Sequence, residues 1–242
     1  MAGRHGESDR RRLTRPDHAR RARVAFGALT SARTAVVATL ALLLLAGCGG
    51  GDGDDTTTSA LPAGCTQVQA PQPKKVDLSR PTATLHGPAT ATVETSCGNF
   101  TIALDVARAP KTASSFAYLA RQGAYNNTPF HRIVPGFVIQ GGDPTGTGSG
   151  GPGYFVDEPP PRDLSYTQGI VAMAKTPAEP PGRSGSQFFV VTVADAGLTP
   201  DYALVGKVTG GFDVVQRIEQ LGTASGTPKA PVVIRRVTVK GG

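Results

Sequence analysis

The stretch Thr128–Pro144 reads TPFHRIVPGFVIQGGDP, and the interpretation of the whole chain depends on it. Its two apolar runs surround one arginine, Arg132, and end at one amide, Gln140, just before a pair of glycines. Burying an arginine without a partner is costly. The stretch therefore predicts either a guanidinium that points to solvent or one that is held at a site for a purpose.

Outside this stretch, the residue patterns of hydrolytic and metal-dependent sites are missing. Ser184 and Ser186 lie in GRSGSQ, which is not the G-x-S-x-G turn of a nucleophilic serine. His131 is the one histidine well inside the predicted domain, which disfavours a catalytic triad. No His, Cys or carboxylate cluster has metal-ligand spacing, so we expect no metal site. The run Gly148–Gly153 fits G-x-G-x-x-G, but Pro152 interrupts it and no helical pattern follows, which favours a glycine-rich surface loop.

Most of the charge of the chain lies at its N-terminus. The 242 residues carry a net charge of +7, and residues 1–33 hold nine arginines against three acidic residues, a net charge of +6. Because only +1 remains for the other residues, we do not expect a nucleic-acid partner. The uncharged apolar run at residues 34–47 is too short for a comfortable membrane span, and a basic region before such a run is typical of a secretory signal.

The end of this apolar run, LAGC at residues 45–48, resembles the lipobox of bacterial lipoproteins, in which the cysteine is diacylated and becomes the new N-terminus. We therefore predict a signal peptide over residues 1–47 and lipidation of Cys48; an N-terminal anchor that is never cleaved is the alternative. Residues 48–84 are typical of a flexible tether, and residues 85–242 are the predicted folded domain. Two acyl chains give stable anchoring, here at the extracytoplasmic face of the bacterial cell membrane.

The cysteine count adds one possibility. If Cys48 is lipidated, Cys65 and Cys97 remain as an even pair in an oxidising compartment. A disulfide between them is therefore possible. Two separate thiols are the alternative, because a sequence does not show whether the two Cα atoms come close enough for a bond.

The predicted domain contains two helical patterns and eight short strand-like runs. Pro110 and Gly123 bracket the first helix, and the second is predicted over Phe212–Leu221. The strand-like runs lie at residues 91–96, 100–104, 130–134, 137–140, 169–174, 187–193, 203–208 and 232–239. Many short strands with only two helices favour a closed antiparallel barrel, and an open two-layer sandwich is the alternative.

The opening stretch and a later one resemble a known family. FHRIVPGFVIQGGDPTGTGSGG, residues 130–151, is followed by MAK at residues 173–175 and GSQFF at residues 185–189, as in the cyclophilin-type peptidyl-prolyl cis-trans isomerases. The likeness extends over most of residues 88–242. It implies a mainly β fold, a closed eight-stranded antiparallel β-barrel capped by two α-helices, and an isomerase that needs no cofactor.

The resemblance also implies roles for individual residues. Arg132 aligns with the family's catalytic arginine, which stays charged and offers rigid donors, and Gln140 aligns with the amide that orients it. Gly197 stands where many relatives have tryptophan, which implies weak inhibition by cyclosporin, and Tyr202 replaces a common histidine of the groove. The resemblance places the substrate-binding positions at His131, Phe137, Val138, Gly146, Ala174, Lys175, Thr176, Gln187, Phe189, Leu198 and Tyr202.

Together these features predict a membrane-tethered prolyl isomerase that acts during the folding of secreted or envelope proteins. Its expected partners are proline-containing segments of unfolded or flexible proteins and, through the lipid anchor, the membrane; we expect a monomer. A non-catalytic module that binds proline peptides in the same groove is the alternative. A purely structural lipoprotein would leave the groove residues without a role. Arg132 favours the enzyme, because binding alone needs only an apolar slot and backbone contacts.

Overall fold

The computed structural model describes residues 60–242, so the predicted signal peptide and its lipidation site, Cys48, lie outside the described residues. Both predicted helices and all eight predicted strand-like runs correspond to elements of the structure, which adds three two-residue strands. Within residues 60–242, no helix has the length and apolar character needed to cross a membrane. The elements are β1 Ala89–Thr95, β2 Gly98–Leu104, α1 Pro110–Arg121, β3 Thr128–Pro129, β4 Arg132–Val134, β5 Val138–Gly141, β6 Val156–Asp157, β7 Ile170–Met173, β8 Arg183–Ser184, β9 Phe188–Val191, β10 Leu204–Gly210, α2 Phe212–Glu219 and β11 Val233–Gly241.

Nine strands form one antiparallel sheet, in the order β3-β11-β1-β2-β10-β7-β9-β5-β4. The edge strands β3 and β4 are consecutive in the chain, so the sheet curls until its two edges are neighbours. The prediction of a closed eight-stranded barrel is wrong: the sheet has nine strands, and no ladder joins β3 to β4 among the described residues. Pro129 has no N–H to donate, and the Phe130 N–H bonds to Val232 O at 2.9 Å, on the β11 side. The edges are therefore linked by the chain itself.

Alternation along the central strands sends side chains to two separate apolar clusters. On β9, Phe188 and Val190 belong to the interior core, whereas Phe189 belongs to a second cluster on the opposite face of the sheet. On β5, Ile139 joins the core and Val138 joins the second cluster. These strands are thus apolar on both faces, although consecutive side chains point in opposite directions. The second cluster forms the floor of the candidate site.

Helix α1 receives its N-terminal cap from a distant loop. Pro110 suits the first turn because it has no N–H to satisfy, and Ala109 before it supplies no side-chain cap. The carboxylate of Glu158 instead accepts the N–H groups of Lys111 and Thr112, at 3.0 and 2.7 Å. Negative charge is also favourable at this end of a helix. The loop after β6 therefore stabilises the start of α1.

Residues 60–84, which we call the strap, lie along the surface of the domain. Cys65 of the strap forms a disulfide with Cys97, in the turn between β1 and β2. The predicted flexible tether at residues 48–84 is described only from residue 60 onward, and this part lies against the domain rather than apart from it. The disulfide near the start of the strap holds it to the domain. Several of its apolar side chains also pack against the interior core: Leu61, Val76 and Leu78.

Candidate active site

A cavity of about 240 Å³, which we call the slot, lies over the second apolar cluster. The sheet register brings its central residues together, because β5 lies between β4 and β9: Arg132 is paired with Gln140, and Gln140 with Phe189. Every residue lining the slot is one that the sequence predicted for the site. These residues are Arg132, Phe137, Val138, Gln140, Ala174, Lys175, Phe189, Leu198 and Tyr202.

The guanidinium of Arg132 is oriented by two neighbours in the slot wall. Its Nη1 donates a hydrogen bond of 3.4 Å to Gln140 Oε1, and its Cζ lies 5.7 Å from the centroid of the Phe137 ring. None of the ion pairs between described residues involves Arg132. Because a guanidinium carries five N–H donors, most of them remain for a ligand in the slot.

A chain of amides connects Arg132 to the glycine-rich loop. Gln140 Nε2 donates to Gln187 Oε1 at 3.1 Å. Gln187 Nε2 in turn donates to the carbonyl oxygens of Gly148 and Gly150, at 2.9 and 3.0 Å. Each amide accepts through its oxygen and donates through its nitrogen, so the hydrogen bonds run in one direction. The orientation of Arg132 therefore depends on where the loop holds Gln187.

Asp143 holds this loop in place and is not among the site residues predicted from the sequence. Its buried carboxylate accepts hydrogen bonds from the Thr145 N–H at 2.7 Å, the Thr145 hydroxyl at 2.9 Å, the Gly148 N–H at 2.6 Å and the Gly150 N–H at 3.1 Å. Burial alone would raise the pKa of Asp143, but these hydrogen bonds outweigh it and place the pKa below its ordinary value. The available signal was an aspartate before threonine and glycine, a turn-forming combination.

Lys175 separates the slot from a second cavity of about 240 Å³. Its side chain is only 5% exposed. Its Nζ donates to Glu179 O at 3.1 Å, lies 3.5 Å from Asp201 Oδ2, and lies 5.5 Å from the centroid of the Tyr202 ring. These partners offset the cost of burying the ammonium group. The second cavity is lined by two further predicted substrate-binding residues, Thr176 and Gln187.

Tyr166 fixes the backbone of Tyr202 at the far wall of the slot. The Tyr166 hydroxyl donates to Tyr202 O at 2.6 Å and accepts from the Tyr202 N–H at 2.9 Å. Burial raises the pKa of Tyr166 to about 12, so the hydroxyl keeps its proton at neutral pH. The Tyr202 ring meets Phe189 edge to face, with centroids 5.4 Å apart. This wall of the slot is therefore held by both packing and hydrogen bonds.

The other two predicted residues, His131 and Gly146, line neither the slot nor the second cavity. His131 lines a different cavity that also contains Arg132, and burial lowers the pKa of its imidazole, which favours the neutral form at neutral pH. Gly146 lies at the start of the glycine-rich loop, where a Cβ would come within 3.0 Å of the Pro129 ring.

A larger cavity of about 600 Å³, near Leu104, shares no residue with the slot. Within residues 60–242, no three His, Cys, Asp or Glu side chains gather in a way that could hold a metal ion.

A family model described as "Cyclophilin type peptidyl-prolyl cis-trans isomerase/CLD" matches residues 90–239, which include every residue of the slot. The chain belongs to this family. This cyclophilin is thus an isomerase of the peptidyl-prolyl cis-trans class.

Several known proteins are similar to this cyclophilin. Peptidyl-prolyl cis-trans isomerase-like 1 of Aspergillus niger is 43% identical over 136 residues, which is 54% of this chain and 82% of the fungal protein. The Bos taurus protein of the same name is 45% identical over 138 residues, 55% of this chain and 81% of its own length. A crystal structure of a Cryptosporidium parvum cyclophilin type isomerase has a TM-score of 0.60, 32% identity, and coverage of 64% of this chain and 99% of its own. The same isomerase was also crystallised in the presence of the dipeptide Ala-Pro, with a TM-score of 0.58. These relatives are eukaryotic, and none of them bears on a lipid anchor.

Proposed function

We propose that this cyclophilin accelerates cis-trans isomerisation of X–Pro bonds, with Arg132 as the catalytic residue and Gln140 as its aligning partner. The observation that carries the proposal is the position of the Arg132 guanidinium in the wall of a slot with an apolar floor, 3.4 Å from Gln140 Oε1. The slot has an apolar floor that can receive a proline ring, and Arg132, Gln140 and Lys175 supply polar groups around it.

The chemistry of the reaction requires little more than this arrangement. Isomerisation of an X–Pro bond takes tens to hundreds of seconds unaided, because rotation breaks the resonance of the amide. In the twisted transition state the proline nitrogen recovers its lone pair. A hydrogen bond donated to this nitrogen is stronger in the transition state than in the ground state. Only interactions with this property lower the barrier. Arg132 supplies a permanently charged donor for this purpose.

The other residues of the slot hold the two sides of the rotating bond. Phe137, Val138, Phe189 and Leu198 form the apolar surface against which the proline ring packs. Gln140 offers an amide beside Arg132 for the substrate backbone. Fixing the proline ring while the preceding carbonyl rotates requires no nucleophile and no covalent intermediate.

The proposal is tested by magnetisation-transfer NMR of a short Ala-Pro-containing peptide with catalytic amounts of the full-length chain, kept in detergent. We expect the exchange between cis and trans peptide to become faster by about tenfold or more over a spontaneous rate on the order of 0.01 per second. Binding of the peptide without faster exchange would instead favour a non-catalytic binding module. Absence of both binding and acceleration would remove the slot as a proline site.

We further propose that this isomerase is a bacterial lipoprotein that acts outside the cytoplasmic membrane, on unfolded or flexible proteins whose folding is limited by proline isomerisation. The LAGC sequence ending at Cys48 supports lipidation. The disulfide between Cys65 and Cys97 supports an oxidising compartment, because such bonds are rare in the cytosol.

Cys48→Ser is the corresponding test of the location. Because the sulfur that would carry the acyl chains is removed, we expect the protein to leave the membrane fraction, with its isomerase activity within about twofold of wild type. Cell fractionation followed by the peptide assay measures both quantities. Membrane attachment that persists in the variant would contradict lipidation and indicate an uncleaved N-terminal anchor.

A further inference from the structure

The glycine-rich loop beside the slot needs external support. Four of its seven residues from Thr145 to Gly151 are glycine, so the free chain has many accessible conformations. Its carbonyl groups at Gly148 and Gly150 nevertheless have to hold Gln187 in one position. Ordering such a loop costs the large conformational entropy of its glycines. Within the loop, Asp143 offsets part of this cost by accepting the Gly148 and Gly150 N–H groups.

The strap bridges the two ends of this loop from the outside. The Lys74 N–H donates to Pro144 O at 3.0 Å, immediately before the loop, and the Leu78 N–H donates to Pro152 O at 2.7 Å, immediately after it. The donors are four residues apart on the strap, so this short part of the strap connects the two ends of the loop. A flexible loop whose ends are fixed has fewer conformations to lose.

The strap is itself anchored before and within this bridge. The disulfide between Cys65 and Cys97 ties its first part to the turn between β1 and β2. The Nζ of Lys74 donates to Gly123 O at 3.2 Å and to Asn126 O at 2.6 Å, just after α1. These bonds join the strap to elements of the folded domain that are separate from the loop.

A third contact continues the bridge beyond the loop. Arg80 Nη2 donates to Phe155 O at 2.6 Å. Beside the Leu78 contact, the strap comes so close that a Cβ at Gly153 would lie 2.5 Å from Asp77 Oδ1 and 3.2 Å from Asp77 Cα. Gly153 also has a φ of 94°, a backbone conformation that favours glycine. The strap therefore contacts the chain at Pro144, before the loop, and from Pro152 to Phe155, after it.

We infer that the strap is a positioning element of the isomerase site: Lys74, Leu78 and Arg80 clamp the glycine-rich loop, and the loop places Gln187, Gln140 and hence Arg132. This inference rests on the proposed function, because the side chains it positions are those assigned to catalysis. It gives the N-terminal segment a role in the reaction besides its proposed role as a link to the membrane.

The double variant Lys74→Met/Arg80→Met tests this role, because it keeps an unbranched side chain at both positions and removes their three hydrogen bonds to carbonyl groups. In the full-length chain in detergent, we expect kcat/KM for the Ala-Pro peptide to fall about three- to tenfold. Hydrogen exchange followed by mass spectrometry should show faster exchange in the loop, at the Thr145, Gly148 and Gly150 N–H groups, and unchanged exchange in β9.

The matched control is Lys75→Met/Arg162→Met, which removes two positive charges from exposed residues whose side chains form no hydrogen bond among the described residues. We expect this control to behave as wild type. Wild-type loop exchange and wild-type kcat/KM in the test variant, despite faster exchange of the Leu78 N–H, would overturn the inference. If the double variant unfolds, the single exposed substitution Arg80→Met is compared in the same way. If the wild type itself shows no acceleration, the proposed function fails, while loop exchange still reports whether the strap clamps the loop.

Discussion

Arg132→Ala is expected to lower kcat/KM for X–Pro isomerisation about 100- to 1,000-fold, the usual effect of removing one donor that acts on the transition state. The guanidinium lines the slot and is aligned by Gln140, at 3.4 Å, so the variant loses a donor already in place. The apolar walls are unchanged, and we therefore expect the dissociation constant of a proline peptide to rise only about threefold. NMR exchange spectroscopy gives the rate, and titration of the same peptide gives the affinity.

Two further substitutions show whether the lost activity belongs to this guanidinium. Arg132→Lys keeps the positive charge but loses the planar set of donors, so its activity should lie between those of the alanine variant and the wild type. Arg162→Ala removes an exposed arginine that lines no part of the slot, and it should leave the rate unchanged. An Arg132→Ala enzyme within about threefold of wild type would exclude Arg132 as the catalytic residue.

The longer elements of this fold could be predicted from the sequence, and the shortest ones could not. Strands of four to nine residues, such as β5 and β11, have apolar runs that can be recognised. The two-residue strands β6 and β8 pair Val156 with Ser184 and Asp157 with Arg183, and no periodicity exists within two residues. Closure of the barrel also depends on a single edge, where Pro129 and Phe130 leave no ladder between β3 and β4. Local sequence patterns do not show whether two edge strands pair with each other.

The site was predictable only where a family resemblance added to the residue pattern. Val138 and Ile139 are both buried, yet the first lines the slot and the second lies in the interior core. Because the strand is apolar on both faces, alternation alone does not say which face carries the site. The strap was missed for a related reason: its apolar residues are few and lie among prolines and polar residues, a composition that favours a tether.

Asp143→Asn is expected to lower the free energy of unfolding by about 2–4 kcal/mol at neutral pH. The side chain is 0% exposed and accepts four hydrogen bonds. Asparagine has nearly the same shape, but its amide nitrogen is a donor and would face the donors that now bind a carboxylate. Urea unfolding gives the stability, and the same variant should lose activity because the loop no longer holds Gln187.

The pH dependence of the difference in unfolding free energy between wild type and Asp143→Asn identifies the cause of that difference. The pKa of Asp143 lies below its ordinary value in the folded protein, so the carboxylate stabilises the fold above the ordinary pKa of an aspartate. That contribution is lost as the pH falls through the lowered folded pKa, where the folded protein also binds the proton. The gap in stability between wild type and Asp143→Asn should therefore be widest near neutral pH and should shrink in acid.

Asp163→Asn provides the matched control, because Asp163 is exposed and its side chain forms no hydrogen bond among residues 60–242. We expect its free energy of unfolding to stay within about 0.5 kcal/mol of wild type. A gap for Asp143→Asn that did not change with pH would assign the loss to packing rather than to the carboxylate. Stability and activity both equal to wild type would show that the loop holds Gln187 without Asp143, and the strap would then be its main support.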